Sequence, residues 1–224
     1  MLTRPQKPRP FIYAPPSTPL KILHKDAHLL VLSKPHGLLS VPGKLEGRED
    51  SLQTRVAKEY PESLLVHRLD LETSGVFIMA RSKEVQRNLG MQFERRKTGK
   101  TYIARVWGQI EGESGDIDLP LRCDWDNRPM QMVCHEQGRP SQTHWDVIGC
   151  DEISTRVKLT PVTGRSHQLR VHMLELGHPI LGDDFYAHEE AHAAAPRLQL
   201  HAESLTVHHP DGGARVTFTD PCPF

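Results

Sequence analysis

Residues 67–75 read His-Arg-Leu-Asp-Leu-Glu-Thr-Ser-Gly and run straight into the apolar stretch Val76, Phe77, Ile78, Met79, Ala80. One carboxylate, Asp70, thus stands beside a cation in an irregular segment at the mouth of a strand, where loop residues on a rigid scaffold commonly carry chemistry. Such an aspartate can serve as a nucleophile, a general acid or base, or a metal ligand. Taken alone it could equally be a turn former that accepts backbone N–H bonds near Thr73, which is the commoner fate of a loop aspartate. A second cluster, Gly-Arg-Ser-His-Gln-Leu-Arg-Val-His at 164–172, supplies Arg165 and Arg170, and Lys100, Thr101 and Tyr102 form a third. On their own, Arg170 reads as a helix-surface cation and Tyr102 as a half-buried strand aromatic. His188, Glu189, Glu190, Ala191 and His192 spell H-E-x-x-H, the zinc signature of many peptidases, which on a helix puts two imidazoles on one face with a glutamate base between them. Pro196 ends any helix within four residues of His192, which weakens that reading.

The elements that must position these groups follow from periodicity. Residues 1–20 carry six prolines and predict an extended, basic arm, with folded structure starting near Lys21. A strand is expected over 29–34, ended by Pro35, His36 and Gly37, then a short helix capped by Asp50 or Ser51 and stopped by Pro61. Ser82 opens a helix to about Lys97 with Val85, Leu89 and Phe93 on one face. Alternation over 100–108 predicts a strand, and further strands are expected at 142–148, 154–160, 198–207 and 214–219. Ser166 is the expected cap of a helix carrying Leu169, Met173 and Leu176, stopped by Gly177 and Pro179. Strands outnumber helices without regular βαβ alternation, so the fold class is α+β with a mixed, largely antiparallel sheet and flanking helices.

Composition narrows the partners. A chain of 224 residues buries roughly 70% of its unfolded surface, and one large domain over 21–224 is the economical reading. Four scattered cysteines without C-x-x-C pairing fit reduced thiols, and no apolar run can act as a signal peptide or membrane span, so a cytoplasmic protein is expected. Formal net charge is zero, yet residues 81–105 hold eight cations against two acids, whereas 111–126 holds six acids against Arg122 alone. Segregation of this kind is compatible with one basic face; a solvated helix face is the plain alternative.

Four segments in fixed order, Lys34 to Gly37, the loop 67–75, Lys100 to Tyr102, and 164–172, together resemble the pseudouridine synthases of the RluA family. The likeness continues through Cys123 to Pro129, Gly177 to Asp183 and Leu200 to Ala202, and covers the chain from about Lys21 to its end. It implies a pseudouridine-synthase-like fold with a central active-site cleft, and an isomerase that converts uridine to pseudouridine in structured RNA after flipping the base. The bond from ribose C1′ to uracil N1 breaks and one from C1′ to C5 forms, so no redox cofactor or metal is required. A carboxylate, with a reference pKa of about 4, is ionised at neutral pH and suits the role. Attack at C1′, addition at C6 and elimination through a glycal all use the same aspartate.

By resemblance, Asp70 is the catalytic aspartate, Arg170 its ion-pair partner, and Tyr102 the ring stacked on the target base. Arg68 corresponds to the arginine that fills the space left by the flipped uridine. His67 and Arg165 are expected as RNA contacts, with a purely structural role as the equal alternative for each. The likeness is to the branch that modifies both ribosomal and transfer RNA, which implies stem-loops of transfer RNA and 23S ribosomal RNA as partners: an anticodon-loop uridine in the former, a loop uridine in the latter. No cofactor, membrane or obligatory protein partner is implied. The first matching segment begins at Lys34, leaving no space for the S4-type domain that many relatives carry.

Overall fold

Regular structure starts where the N-terminal prolines stop. In the computed structural model, which describes Arg9 and residues 12–224, β1 (Lys21–Lys25) turns back on β2 (Leu29–Lys34). Asp26 holds that turn, its carboxylate accepting the His28 and Leu29 amides at 2.7 and 2.8 Å. Helix α1 (Leu52–Glu59) starts at Ser51 in a capping box: Ser51 Oγ accepts the Thr54 amide at 3.1 Å and Thr54 Oγ1 accepts the Ser51 amide at 2.9 Å. There follow β3 (Leu64–Leu65), β4 (Ser74–Ala80), α2 (Lys83–Glu94), β5 (Gly99–Trp107), β6 (Ser114–Asp118), β7 (Leu121–Cys123) and β8 (Gln131–Val133). The chain ends through β9 (Gln142–Cys150), β10 (Ser154–Pro161), α3 (Gln168–Glu175), α4 (Glu189–Ala193), β11 (Leu200–His208) and β12 (Arg215–Thr219). Within each unit the strands pair antiparallel except β4 with β11, which run parallel, giving the α+β class with a mixed sheet.

Contacts group the described residues into two units, one of Ile12–Lys100 with His201–Pro223, the other of Thr101–Leu200 with Arg9 and Phe224. In the first, strands run β1-β2-β4-β11, with β12 on β11 and β3 on β4. All seven residues of β4 are buried because both faces of this sheet are covered. Leu29, Val31, Val76 and Ile78 pack under Val85 and Leu89 of α2, while Leu30, Leu32, Phe77 and Met79 pack on Leu52 and Val56 of α1. Gly75, at φ 114°, lies opposite Ala202; a Cβ there would collide with the Ala202 carbonyl, so only glycine lets β11 approach the end of the 67–75 loop.

In the second unit, β5, β10, β9 and β6 form an antiparallel sheet, and Leu169 and Met173 of α3 cover Ala104, Val157 and Leu159. The β7–β8 hairpin docks through Leu121 and Met130 against Val171 and Tyr186.

Two helix ends differ from expectation. Helix α2 stops at Glu94 rather than Lys97: Arg96 turns left-handed at φ 56°, and the Lys97 amide closes on Gln92 O at 2.8 Å. Helix α3 begins one residue later than Ser166 predicts, with His167 at φ 53° as its cap; the imidazole caps no helix amide, and its Nδ1 lies 2.7 Å from Tyr186 OH. Gln168 organises the entry instead: its Oε1 accepts the Arg165 amide and Thr163 Oγ1 while its Nε2 donates to Gln142 O and Thr143 Oγ1.

Of the expected arm, residues 1–8, 10 and 11 lie outside the described residues. Residues 12–20 have no helix or strand but are docked: Tyr13 OH donates to Asp50 O at 2.6 Å, and Arg55 donates to Pro16 O and Thr18 O at 2.7 and 3.3 Å. Among the described residues no helix is long and apolar enough to cross a membrane.

Candidate active site

The loop 67–75 is held by the segment that precedes it in the sequence pattern. Lys34, fully buried at the end of β2, donates from Nζ to the carbonyls of Pro35, Leu71 and Thr73, each at 2.9 Å. Gly37, at φ 71°, donates its amide to the same Leu71 carbonyl, and Ser40 Oγ donates to Leu69 O at 2.7 Å while accepting the Leu69 amide at 3.1 Å. At the far end His201 donates Nε2–H to Asp220 O at 2.8 Å, which leaves Nδ1 to accept from Ser74 Oγ at 2.9 Å. Hydrogen bonds from a charged donor are the stronger kind, so the ammonium of Lys34 does most to fix the loop's path. Within it Asp70 is half-buried, its carbonyl accepting the Thr73 amide at 3.2 Å. Arg68 is exposed and makes no hydrogen bond or ion pair among the described residues.

His67, expected as an RNA contact, turns its ring toward the aromatic side chains behind the loop. Its ring stacks on Phe77 and Phe93, with centroids 4.6 and 5.0 Å away, and its Nε2 accepts the Ile78 amide at 3.1 Å. Burial and then the charge of Lys100 push its pKa down to about 3, so the ring stays neutral and acts as an acceptor that fastens the loop to β4.

The remaining expected residues belong to the other unit. Tyr102, half-buried on β5, lies opposite Leu159 of β10 and packs partly against the core. Arg165 precedes α3 and donates from Nε to Pro140 O at 3.3 Å. Arg170, on α3 and only 3% exposed, forms a bidentate pair with Asp183, from Nε to Oδ2 at 2.7 Å and Nη2 to Oδ1 at 2.6 Å. Its guanidinium also lies over the rings of Phe185 and Tyr186, 4.9 and 5.1 Å from their centroids. Burial raises the pKa of Asp183, but the Arg170 charge and hydrogen bonds outweigh it and hold the carboxyl below its ordinary range. Asp183 further accepts the Phe185 and Tyr186 amides. This buried carboxylate orients Arg170, and the sequence reading gave it no role; a Gly-Asp turn thirteen residues past the arginine was the available signal.

The H-E-x-x-H reading fails on geometry. Helix α4 spans five residues, and His188 is its cap, with extended backbone, so the two imidazoles do not project from one helical face. His188 Nδ1 accepts the Ala191 amide, His192 Nε2 bonds Asp184 Oδ1 at 2.9 Å, and Glu189 pairs with Arg9 at 2.9 Å.

Comparison with known proteins agrees with this arrangement of segments. The family described as RNA pseudouridylate synthase matches residues 28–175. The dual-specificity RNA pseudouridine synthase RluA of Salmonella typhi is 55% identical over 214 residues, covering 95% of this chain and 98% of that protein. The protein of the same name from Vibrio vulnificus is 50% identical over 218 residues, 95% of this chain and 87% of its own length. Among solved structures, human RNA pseudouridylate synthase domain containing 1 matches with a TM-score of 0.78 and 28% identity, over 94% of this chain and 87% of that one.

Proposed function

This chain belongs to the RluA family of RNA pseudouridine synthases and isomerises uridine to pseudouridine in RNA, and on that premise we propose that Asp70 is its catalytic carboxylate. The observation that carries the reading is the clamped loop: Lys34, Gly37 and Ser40 fix the backbone around Asp70 while Arg68 next to it stays exposed and uncommitted. Such a construction suits a group that must meet a reacting atom within a fraction of an ångström.

In this reading Arg68 enters the RNA stack in place of the target uridine, the uracil stacks on Tyr102, and Asp70 attacks the exposed nucleoside. Extrusion costs a few kcal/mol, least for a loop base. The glycosidic bond breaks, the base turns, and C1′ joins C5, whose proton leaves as the new bond is completed while N1 takes up a proton. Arg170, locked by Asp183, is the counter-cation of the catalytic carboxylate, and Arg165 is a contact to the RNA. The proposed substrates are an anticodon-loop uridine of transfer RNA and a loop uridine of 23S ribosomal RNA, reached in the cytoplasm. The product has the mass of the substrate, so mapping must be chemical. Carbodiimide mapping of total RNA from a deletion strain is expected to lack pseudouridine at both loops, to regain it with the wild-type gene and not with Asp70→Asn. Unchanged signal at both loops after deletion would overturn the assignment of targets.

A further inference from the structure

Of the eight cations between residues 81 and 105, Arg81 is tied to Glu62 and Arg105 to Asp151, but Lys83, Arg87, Arg95, Arg96 and Lys97 are exposed and form no ion pair among the described residues. Arg95 and Lys97 are gathered by the left-handed turn at Arg96, a position where glycine is the usual occupant because a Cβ is crowded there. The result is a cleft of about 300 Å³ at the C-terminal end of α2, walled by Asn88, Gln92, Arg95, Lys97, His208 and His209.

The cleft is built rather than incidental. Gln92, 8% exposed, clamps α2 to the end of β11: Nε2 donates to His208 O at 2.7 Å and Oε1 accepts the His208 amide at 2.8 Å. Its Nε2 also donates to Asn88 Oδ1, which leaves the Asn88 Nδ2 amide as a donor at the wall. The nearby acids are turned away: Asp26 is engaged by His24 and His209 at 2.6 and 3.1 Å, Asp211 faces His28 at 3.9 Å, and neither lines the cleft. Burial lowers the pKa of His209, but its bonds to Asp211 and Asp26 outweigh that and raise it above its ordinary value.

Two unpaired cations, a free amide donor and no wall carboxylate select a phosphate. A free nucleotide and a polynucleotide share that group, and the cations of α2 distinguish them. Lys83, Arg87 and Arg95 fall on the 83, 87, 91, 95 face of one helix, so charge runs about 18 Å along α2 into the cleft, which suits a chain of phosphates. We propose that this cleft is a second, non-catalytic anchor of the RNA substrate, gripping one backbone phosphate while the cationic face of α2 guides the strand toward it. The inference rests on the reading of the chain as an RNA-modifying enzyme.

The test compares Arg95→Gln/Lys97→Gln with a charge-matched control, Lys44→Gln/Lys58→Gln, whose cations are exposed elsewhere on the same unit. Affinity for a substrate stem-loop is measured from 50 to 300 mM KCl by fluorescence anisotropy, with steady-state turnover and thermal midpoint alongside. Loss of two phosphate contacts is expected to flatten the log–log salt slope by about 1.4 and to weaken binding about tenfold at low salt, with the loss falling on KM. The control should shift affinity less than about twofold, since it removes net charge without a contact. Equal weakening by both pairs, or an unchanged slope in the cleft variant, overturns the proposal. Uridine monophosphate is titrated as a second arm: saturable binding lost in the cleft variant, with RNA affinity intact, would assign the cleft to a free nucleotide instead. Failure of the underlying reading is separately visible, because wild-type protein would then make no pseudouridine at any salt.

Discussion

Asp70 depends on a lysine that never needs to touch substrate. Lys34 Nζ satisfies carbonyls of Pro35, Leu71 and Thr73, so Lys34→Met leaves buried acceptors without a donor. The expected cost is about 3 kcal/mol of stability with a drop in kcat larger than the rise in KM, read by urea unfolding and steady-state kinetics. A variant as stable and as active as wild type would remove Lys34 from the account. His67 gives a pH-dependent prediction. Its folded pKa, about 3, lies below the unfolded value of about 6.5, so the unfolded chain binds the proton first and stability falls as pH drops through that window. Each pH unit within it removes at most about 1.4 kcal/mol through this residue. His67→Gln should therefore lose less stability than wild type between pH 6.5 and 4.5, although it starts lower for want of the Ile78 acceptor geometry; parallel curves would contradict the neutral, buried ring. Asp70 and Arg68 were legible in the sequence as a motif. The work of Lys34 and His67 was not, because neighbours in the chain say nothing about which carbonyls converge on an ammonium or which rings enclose an imidazole.

At the scale of elements, the pairing of α3 with the turn after it sets the geometry of Arg170. Breaking a buried pair leaves an uncompensated charge, so Asp183→Asn should cost about 3–5 kcal/mol by chemical denaturation and loosen Phe185 and Tyr186, whose amides the same carboxylate accepts. A loss below about 1 kcal/mol would show that the pair is not what fixes α3. The main strands and helices α1 and α2 could be read from periodicity, through a buried stripe or, in β4, an unbroken apolar run, whereas α3 buries six consecutive residues and shows in the sequence mainly through Leu169, Met173 and its Gly177 and Pro179 stop. Strand β6 could not: Ser114, Gly115, Asp116, Ile117 and Asp118 have poor strand propensity and are held extended by pairing with β9. The two-residue β3 and three-residue β7 and β8 likewise exist only through their partners. Helix ends slipped for a related reason. Arg96 and His167 both adopt left-handed backbone that their residue types do not advertise.

For the molecule as a whole, a net charge of zero conceals a basic stretch opposed by acids elsewhere in the chain. Five exposed cations of α2 and its end lack ion pairs among the described residues, so RNA binding should weaken with a log–log salt slope of about −3 or steeper. An affinity indifferent to salt would contradict that picture. The family was legible because its segments recur in order along nearly the whole chain, whereas the anchoring partners had to be seen in three dimensions. The central claim is that the carboxylate of Asp70 makes pseudouridine. It is tested most directly by purified wild type and Asp70→Asn acting on a stem-loop RNA tritiated at uracil C5, with tritium release followed alongside RNA affinity. Wild type should release tritium with each turnover, and Asp70→Asn should bind the RNA within a few-fold of wild type while releasing none above background; turnover by Asp70→Asn near the wild-type rate would contradict the account.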